Sequence, residues 1–135
     1  MYKNILVPIA ADHDPNTAAA LNVARALASD GAKITALSVV EAMPGYIVNE
    51  LPEGQMEKTM AEVKAGLNSD LAGASDVTVE VIEGHSARTI LDYADSKAVD
   101  CIVMASHRPD ITDYFLGSTA ARVVRHAQCA VHVLR

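Results

Sequence analysis

The chain has no tryptophan and a single phenylalanine among its 135 residues. Four tyrosines are the only other aromatics, so Ala, Val, Leu and Ile must fill the core. That mix suits close packing of helices on a sheet. Cysteine is scarce too. Cys101 and Cys129 each lie in or beside an apolar run, which reads as buried thiols rather than a disulfide or metal pair and fits a reducing cytoplasm. No apolar run approaches the ~18 residues of a membrane span, so no direct membrane insertion is expected and any membrane role passes through a partner. The opening MYKNILVPIAAD is too short an apolar run for a secretory leader, holds Pro8 and ends at Asp12. Positive charge is also in short supply: 11 Lys and Arg face 17 Asp and Glu, for a net charge of −6. A general nucleic-acid surface needs clustered cations, so nucleic acid is excluded and any anion site must be local.

What is present is a chain 50% hydrophobic and 21% charged, the composition of one globular domain over residues 1–135. Apolar runs at residues 5–9, 34–40 (ITALSVV), 77–82, 101–105 and 130–134 are short and mostly solid. Such runs fit strands buried on both faces of a parallel sheet. Helical patterns lie between them. In the first, DPNTAAALNVARALASDG, Asp14 or Asn16 caps, Pro15 suits the first turn, Leu21, Ala24, Leu27 and Ala28 share a face, and Gly31 is the expected stop. The second carries one stripe of Met56, Met60, Val63, Leu67 and Leu71. The third starts near Ser86 with Ile90, Leu91 and Ala94, and the fourth near Gly117 or Ser118 with Ala120, Val123 and Val124. Arg122, Arg125 and His126 near the end of the fourth favour its dipole. The alternation β-α-β-α-β-α-β-α-β makes an open α/β sheet with helices on both faces. The longest irregular stretch is residues 41–53, EAMPGYIVNELPE, long enough for a lid or part of a site.

Open parallel sheets take ligands at the carboxyl ends of their strands. The fourth strand ends in MASHRPDITDYFLGST, which runs from Met104 to Thr119. Gly117, Ser118 and Thr119 open a helix whose free N–H groups and dipole favour an anion. His107 and Arg108 bring cationic or donor groups to the same rim. The competing reading is a plain N-cap with a solvated Arg108. No G-x-x-x-x-G-K-[ST] occurs, and the first strand runs into AADHD rather than G-x-G-x-x-G, so neither of those nucleotide modes applies. The end of the third strand, Glu83-Gly84, and the absence of a lysine after the fifth exclude a receiver domain. The triplet Asp12-His13-Asp14 reads as helix capping rather than a metal site. His85 lacks an evident nucleophile beside it, and His132 reads as structural or interfacial.

Three segments together, YKNILVPI, EGHSARTILDYADSKAVDCIVMASH and LGSTAARVVRHAQCAVHVLR, resemble the universal stress protein family over essentially the whole chain. The resemblance implies a single-domain, Rossmann-like, five-stranded parallel sheet in the order 3-2-1-4-5. It also implies homodimers made through the C-terminal strand. Many members bind ATP through a motif of Gly, two residues, Gly, nine residues, then Gly and Ser or Thr. Gly117 and Ser118 match its end, with Thr119 following. Ala105 and Arg108 fall on the two glycine positions, and only eight residues separate Arg108 from Gly117. Where ATP-binding members carry Asp two residues after the first-strand proline, this chain has Ala10, with Asp12 two further on. An SHRP…LGS loop of this kind resembles one subgroup of the family.

The expected adenine-nucleotide site is therefore Pro8, Ile9, Ala10, Asp12, Val39, Val40, Met104, Ala105, Ser106, His107, Arg108, Gly117, Ser118 and Thr119. Its cofactor is ATP, with or without Mg2+, and no residue is assigned to catalysis. Adenine would rest between Val39, Val40 and the strand end at Met104 and Ala105. The expected function is a cytoplasmic, dimeric regulatory protein in the stress response, with a protein partner. One alternative is a nucleotide-free interaction module whose altered pocket holds a simple anion or nothing. Another is a slow ATPase with Asp12, Asp110 and Asp113 as metal ligands.

Overall fold

In the computed structural model, which describes residues 1–9, 16–41, 53–106 and 117–135, the central strand is β1 (Tyr2–Pro8). Its apolar residues Ile5, Leu6 and Val7 are 0% exposed. Both faces of this strand are covered, so its sequence is solid rather than alternating, and each such side chain contributes about 1.5–3 kcal/mol of burial. Around it run α1 (Asn16–Leu27), β2 (Ala28–Glu41), α2 (Gln55–Asp70), β3 (Val77–Gly84), α3 (Ser86–Ser96), β4 (Cys101–Ala105), α4 (Ser118–His126) and β5 (Ala130–Leu134). The sheet order is β3-β2-β1-β4-β5, and all neighbouring strands pair in parallel. This is the expected fold class and strand order.

Two cores sandwich the sheet. On one face Ala20, Leu21 and Ala24 of α1 and Leu67 of α2 pack on Ile5, Val7, Ile34, Ala36, Cys101 and Val103. On the other, Ala87, Ile90, Tyr93 and Ala94 of α3 and Ala120 and Val123 of α4 pack on Leu6, Leu37, Ile102 and Met104. Of the α2 stripe, Leu67 is buried and Val63 and Leu71 pack partly buried against the first core, with Leu71 standing as the C-cap just past the helix end at Asp70.

One boundary departs from the sequence reading. The first helix stops at Leu27, not at Gly31, and β2 begins at once with Ala28 beside Tyr2. The N-terminal ammonium donates to Ser29 Oγ at 2.7 Å, which holds this early pairing. The register shifts between Tyr2 and Asn4, and Gly31 supplies the left-handed turn inside that irregularity, at φ 75°. β2 and β3 also run slightly past the apolar runs, continuing to the pair Glu41↔Gly84.

Strand order reverses at β1. Two strands lie to one side of it and two to the other, so the crevice for a ligand lies at the carboxyl ends of β1 and β4. β1 stays paired to β2 as far as Pro8↔Leu37. Its ladder with β4 comprises Ile5↔Cys101 and Leu6↔Ile102, so the two strands' last residues form no ladder with each other. That is where the sheet opens.

Candidate functional site

The rim is assembled from strand ends. Pro8 closes β1, because it has no N–H to continue the ladder. Ile9 follows it, 8% exposed, with its N–H donated to Leu37 O at 2.9 Å. Val39 and Val40 on β2 are half-buried, and Val39 packs against the α3–α4 core. On β4, Met104 is buried and Ala105, half-buried, pairs with Leu134.

Ser106 then links three elements. Its N–H donates to Leu134 O at 2.7 Å. Its Oγ accepts the Gly117 N–H at 3.2 Å, and Gly117 O in turn accepts the first helical bond of α4, from Ala121 N, at 2.9 Å. Gly117 is the N-cap of α4 with φ −58° and ψ 154° and supplies no side-chain cap. A helix without a side-chain cap leaves first-turn N–H groups for another acceptor. Ser118 is exposed and Thr119 half-buried at this start. The arrangement can hold an anion at the open end of the sheet.

Thus Pro8 and Ile9 stand beside the β2 end, and Ser106 and Gly117 are brought into direct contact. Ala10, Asp12, His107 and Arg108 lie outside the described residues, as do Asp14, Asp110 and Asp113.

Three features of the rim were not anticipated from the sequence. Ser86 Oγ donates to Glu41 Oε1, and His85 Nδ1 lies 4.0 Å from Glu41 Oε2. This ties the end of β2 to the start of α3. A Cβ on Gly84 would collide with Thr89 Oγ1, so glycine is what lets β3 enter α3 so tightly. The third is Ser38, one of the two hydroxyl residues within ITALSVV. It is 1% exposed, and its Oγ is the buried side-chain polar atom without a hydrogen-bond partner among the described residues. A hydroxyl within an apolar run was the available clue, and Thr35 shares it.

Away from the rim, both cysteines are free thiols. Burial pushes the Cys101 thiol up to about 11 and raises that of Cys129. The Tyr93 hydroxyl, raised chiefly by burial and then by the charge of Glu80, shares a hydrogen bond with Thr35. These groups belong to the packing of the sheet. Among the described residues no helix is long and apolar enough to cross a membrane.

The model of the universal stress protein family matches residues 1–135. The chain belongs to that family. It is similar to a universal stress protein of Methanothermobacter thermautotrophicus, 26% identical over 100% of this chain and 97% of that protein. The solved universal stress protein UspA from Lactobacillus plantarum is 29% identical, with TM-score 0.78, over 99% of this chain and 98% of that one. A universal stress protein crystallised in complex with cAMP shares the fold at 17% identity and TM-score 0.65, over 99% of this chain and 97% of that one. These relatives of the family match this chain at nearly full length.

Proposed function

We propose that this universal stress family protein is a cytoplasmic, dimeric regulatory protein in the stress response that binds an adenine nucleotide, ATP with or without Mg2+, at the carboxyl ends of β1, β2 and β4. The observation that carries the reading is the start of α4. Its first turn has no side-chain cap, and Ser106 holds it against the end of β4, beside the point where β1 and β4 part. A phosphate would accept the open N–H groups and the hydroxyls of Ser118 and Thr119, with His107 or Arg108 close in sequence. The nucleoside would lie toward Pro8, Ile9, Ala10, Asp12, Val39 and Val40, with Met104 and Ala105 as the neighbouring strand end. The family relative solved with cAMP supports a nucleotide as the ligand class.

Nothing in this reading requires turnover: the nucleotide changes the protein's surface and so the protein partner it engages, and no residue is given a catalytic role. Dimerisation would use β5. That strand lies at the edge of the sheet, with Val131, Val133 and Leu134 half-buried. Ala105, which sets a methyl where the ATP motif has glycine, favours the second reading, an interaction module with an altered pocket. Calorimetric titration of the purified protein with ATP, together with mass spectrometry of whatever co-purifies, separates the two. Saturable binding near one nucleotide per chain supports the first. Absence of both binding and co-purified nucleotide sinks it.

A further inference from the structure

Ser38 has no role in the reading above, and its surroundings are unusual for a hydroxyl. It sits on β2 immediately before Val39 and Val40 and is 1% exposed. Side chains alternate along a strand, so Ser38 shares the face of Ile34 and Ala36. Those two pack with Ile5, Val7 and Ile9 of the β1 segment and with Ala20, Leu21 and Ala24 of α1. Across the sheet on one side Ser38 pairs with Val81. On the other side lies the last backbone bond between the two strands, from Ile9 N to Leu37 O at 2.9 Å. The hydroxyl is therefore level with the point where β1 ends and the chain departs toward α1, on the α1 side of the crevice.

Thr35, the other buried hydroxyl of β2 at 2% exposed, shows what a partnered one looks like, since it shares a hydrogen bond with Tyr93. Ser38 Oγ has no partner among the described residues. Buried polar groups are nearly always hydrogen-bonded, and leaving one unmade costs free energy. Alanine would fill the same place in this apolar layer without that cost. Beside the open end of the sheet, such a hydroxyl is a group that a polar atom of an arriving ligand could satisfy.

The geometry points to Ser38 as a specificity-determining contact for the nucleoside half of the ligand, its hydroxyl meeting a polar atom of the base or ribose between the ends of β1 and β2. This rests on the nucleotide reading and assigns its halves. β2 and β4 stand on opposite sides of β1 in the sheet order, and α4 starts beside the end of β4, so a ligand with its phosphates at Ser118 and Thr119 would turn its nucleoside toward the β2 end and Ser38. The phosphates make no contact with it.

Two substitutions test this, Ser38→Ala and Ser38→Cys, the second keeping the volume while removing the strong donor. Melting temperature without ligand and calorimetric affinities for ATP, adenosine and inorganic triphosphate are measured for each and for the wild type. Both variants are expected to melt no lower than wild type, with Ser38→Ala melting higher. Both should bind ATP and adenosine about three- to tenfold more weakly, the worth of one net hydrogen bond, with triphosphate affinity unchanged. Wild-type affinities in both variants would overturn the contact and leave Ser38 paired to an internal water or to nothing. An equal loss for all three ligands would also overturn it, as a general disturbance of the crevice. A wild-type protein that binds none of them overturns the nucleotide reading itself, and the contact with it.

Discussion

At the amino end of the sheet, backbone is held by side chains placed far away in the sequence. Asp100 accepts the N–H groups of Lys3 at 2.8 Å and Asn4 at 3.0 Å. Asn4 Nδ2 donates back to Lys97 O at 2.7 Å. Arg25 at the end of α1 meets Asp76 ahead of β3 at 2.8 Å. At the carboxyl end, the described contacts join rim elements to one another instead: Ser106 to Gly117, Ser86 to Glu41. There the sheet also keeps an unpartnered hydroxyl, Ser38, and a helix start without a side-chain cap. The amino end spends its polar groups on stability. The carboxyl end leaves polar groups available, the usual division in parallel α/β sheets, where ligands bind at the carboxyl ends.

The contrast can be broken first at Asp100. Asp100→Ala leaves two strand N–H groups without their charged acceptor and should lower stability by about 2–3 kcal/mol. Urea unfolding measures the loss, and nucleotide affinity should not change. An affinity loss as large as the stability loss would show that the two ends are not separable.

Next comes Cys101, whose thiol burial pushes up to about 11. Its folded value lies above its unfolded one. Below about pH 9 both states keep the proton and nothing is lost. As pH rises from about 9 to 11 the unfolded chain releases it first, so stability falls, by about 2.7 kcal/mol at most. Subtracting the alkaline unfolding profile of Cys101→Ala from that of wild type isolates this slope, and parallel profiles would refute it.

The third site is the turn from α3 into β4. Val99 N donates to Ala94 O at 3.0 Å and Lys97 N to Tyr93 O at 3.0 Å, a Schellman-type ending. Its left-handed residue is Ala98, at φ 55°. Glycine adopts that conformation without the Cβ penalty, so Ala98→Gly should raise stability by about 1 kcal/mol, read as a higher melting temperature.

At the opposite end, Ser106→Ala should cost about 0.5–1 kcal/mol of stability. It should weaken ATP more than adenosine, because it frees the start of α4 while leaving the β2 end alone. The smallest effect belongs to Arg25 and Asp76. The Arg25 hydrogen bond holds the Asp76 carboxyl below its usual range, so the pair helps above that range and the help fades as pH falls through it. Both side chains are exposed and screened by salt. Asp76→Asn should shift the melting temperature slightly at low salt and not at all in concentrated salt.

Most of the architecture was legible because parallel strands covered on both faces must be solid apolar runs, and residues 101–105 and 130–134 match β4 and β5 without adjustment. The α1–β2 boundary was not legible. Gly31 looks like a helix stop, but Tyr2 and Ser29, far apart in sequence, draw the chain into the sheet before it is reached. The start of α4 at Gly117 and Ser118 was legible from local capping chemistry. The acceptor role of Ser106 toward Gly117 was not, because it spans a separation of 11 residues.

Sequence alone determined the class of fold, the count of strands and the place where a helix start would face a strand end, since each follows from local periodicity and backbone chemistry. Through the three quoted segments it also pointed to the universal stress protein family. Tertiary structure decided which groups have partners. Ser38 and Thr35 are two hydroxyls on one strand, with opposite parity. One faces Tyr93 and is satisfied, and the other faces the α1 layer and is not. No local rule separates them, because a hydrogen bond depends on what the other chain segments bring to each side of the sheet.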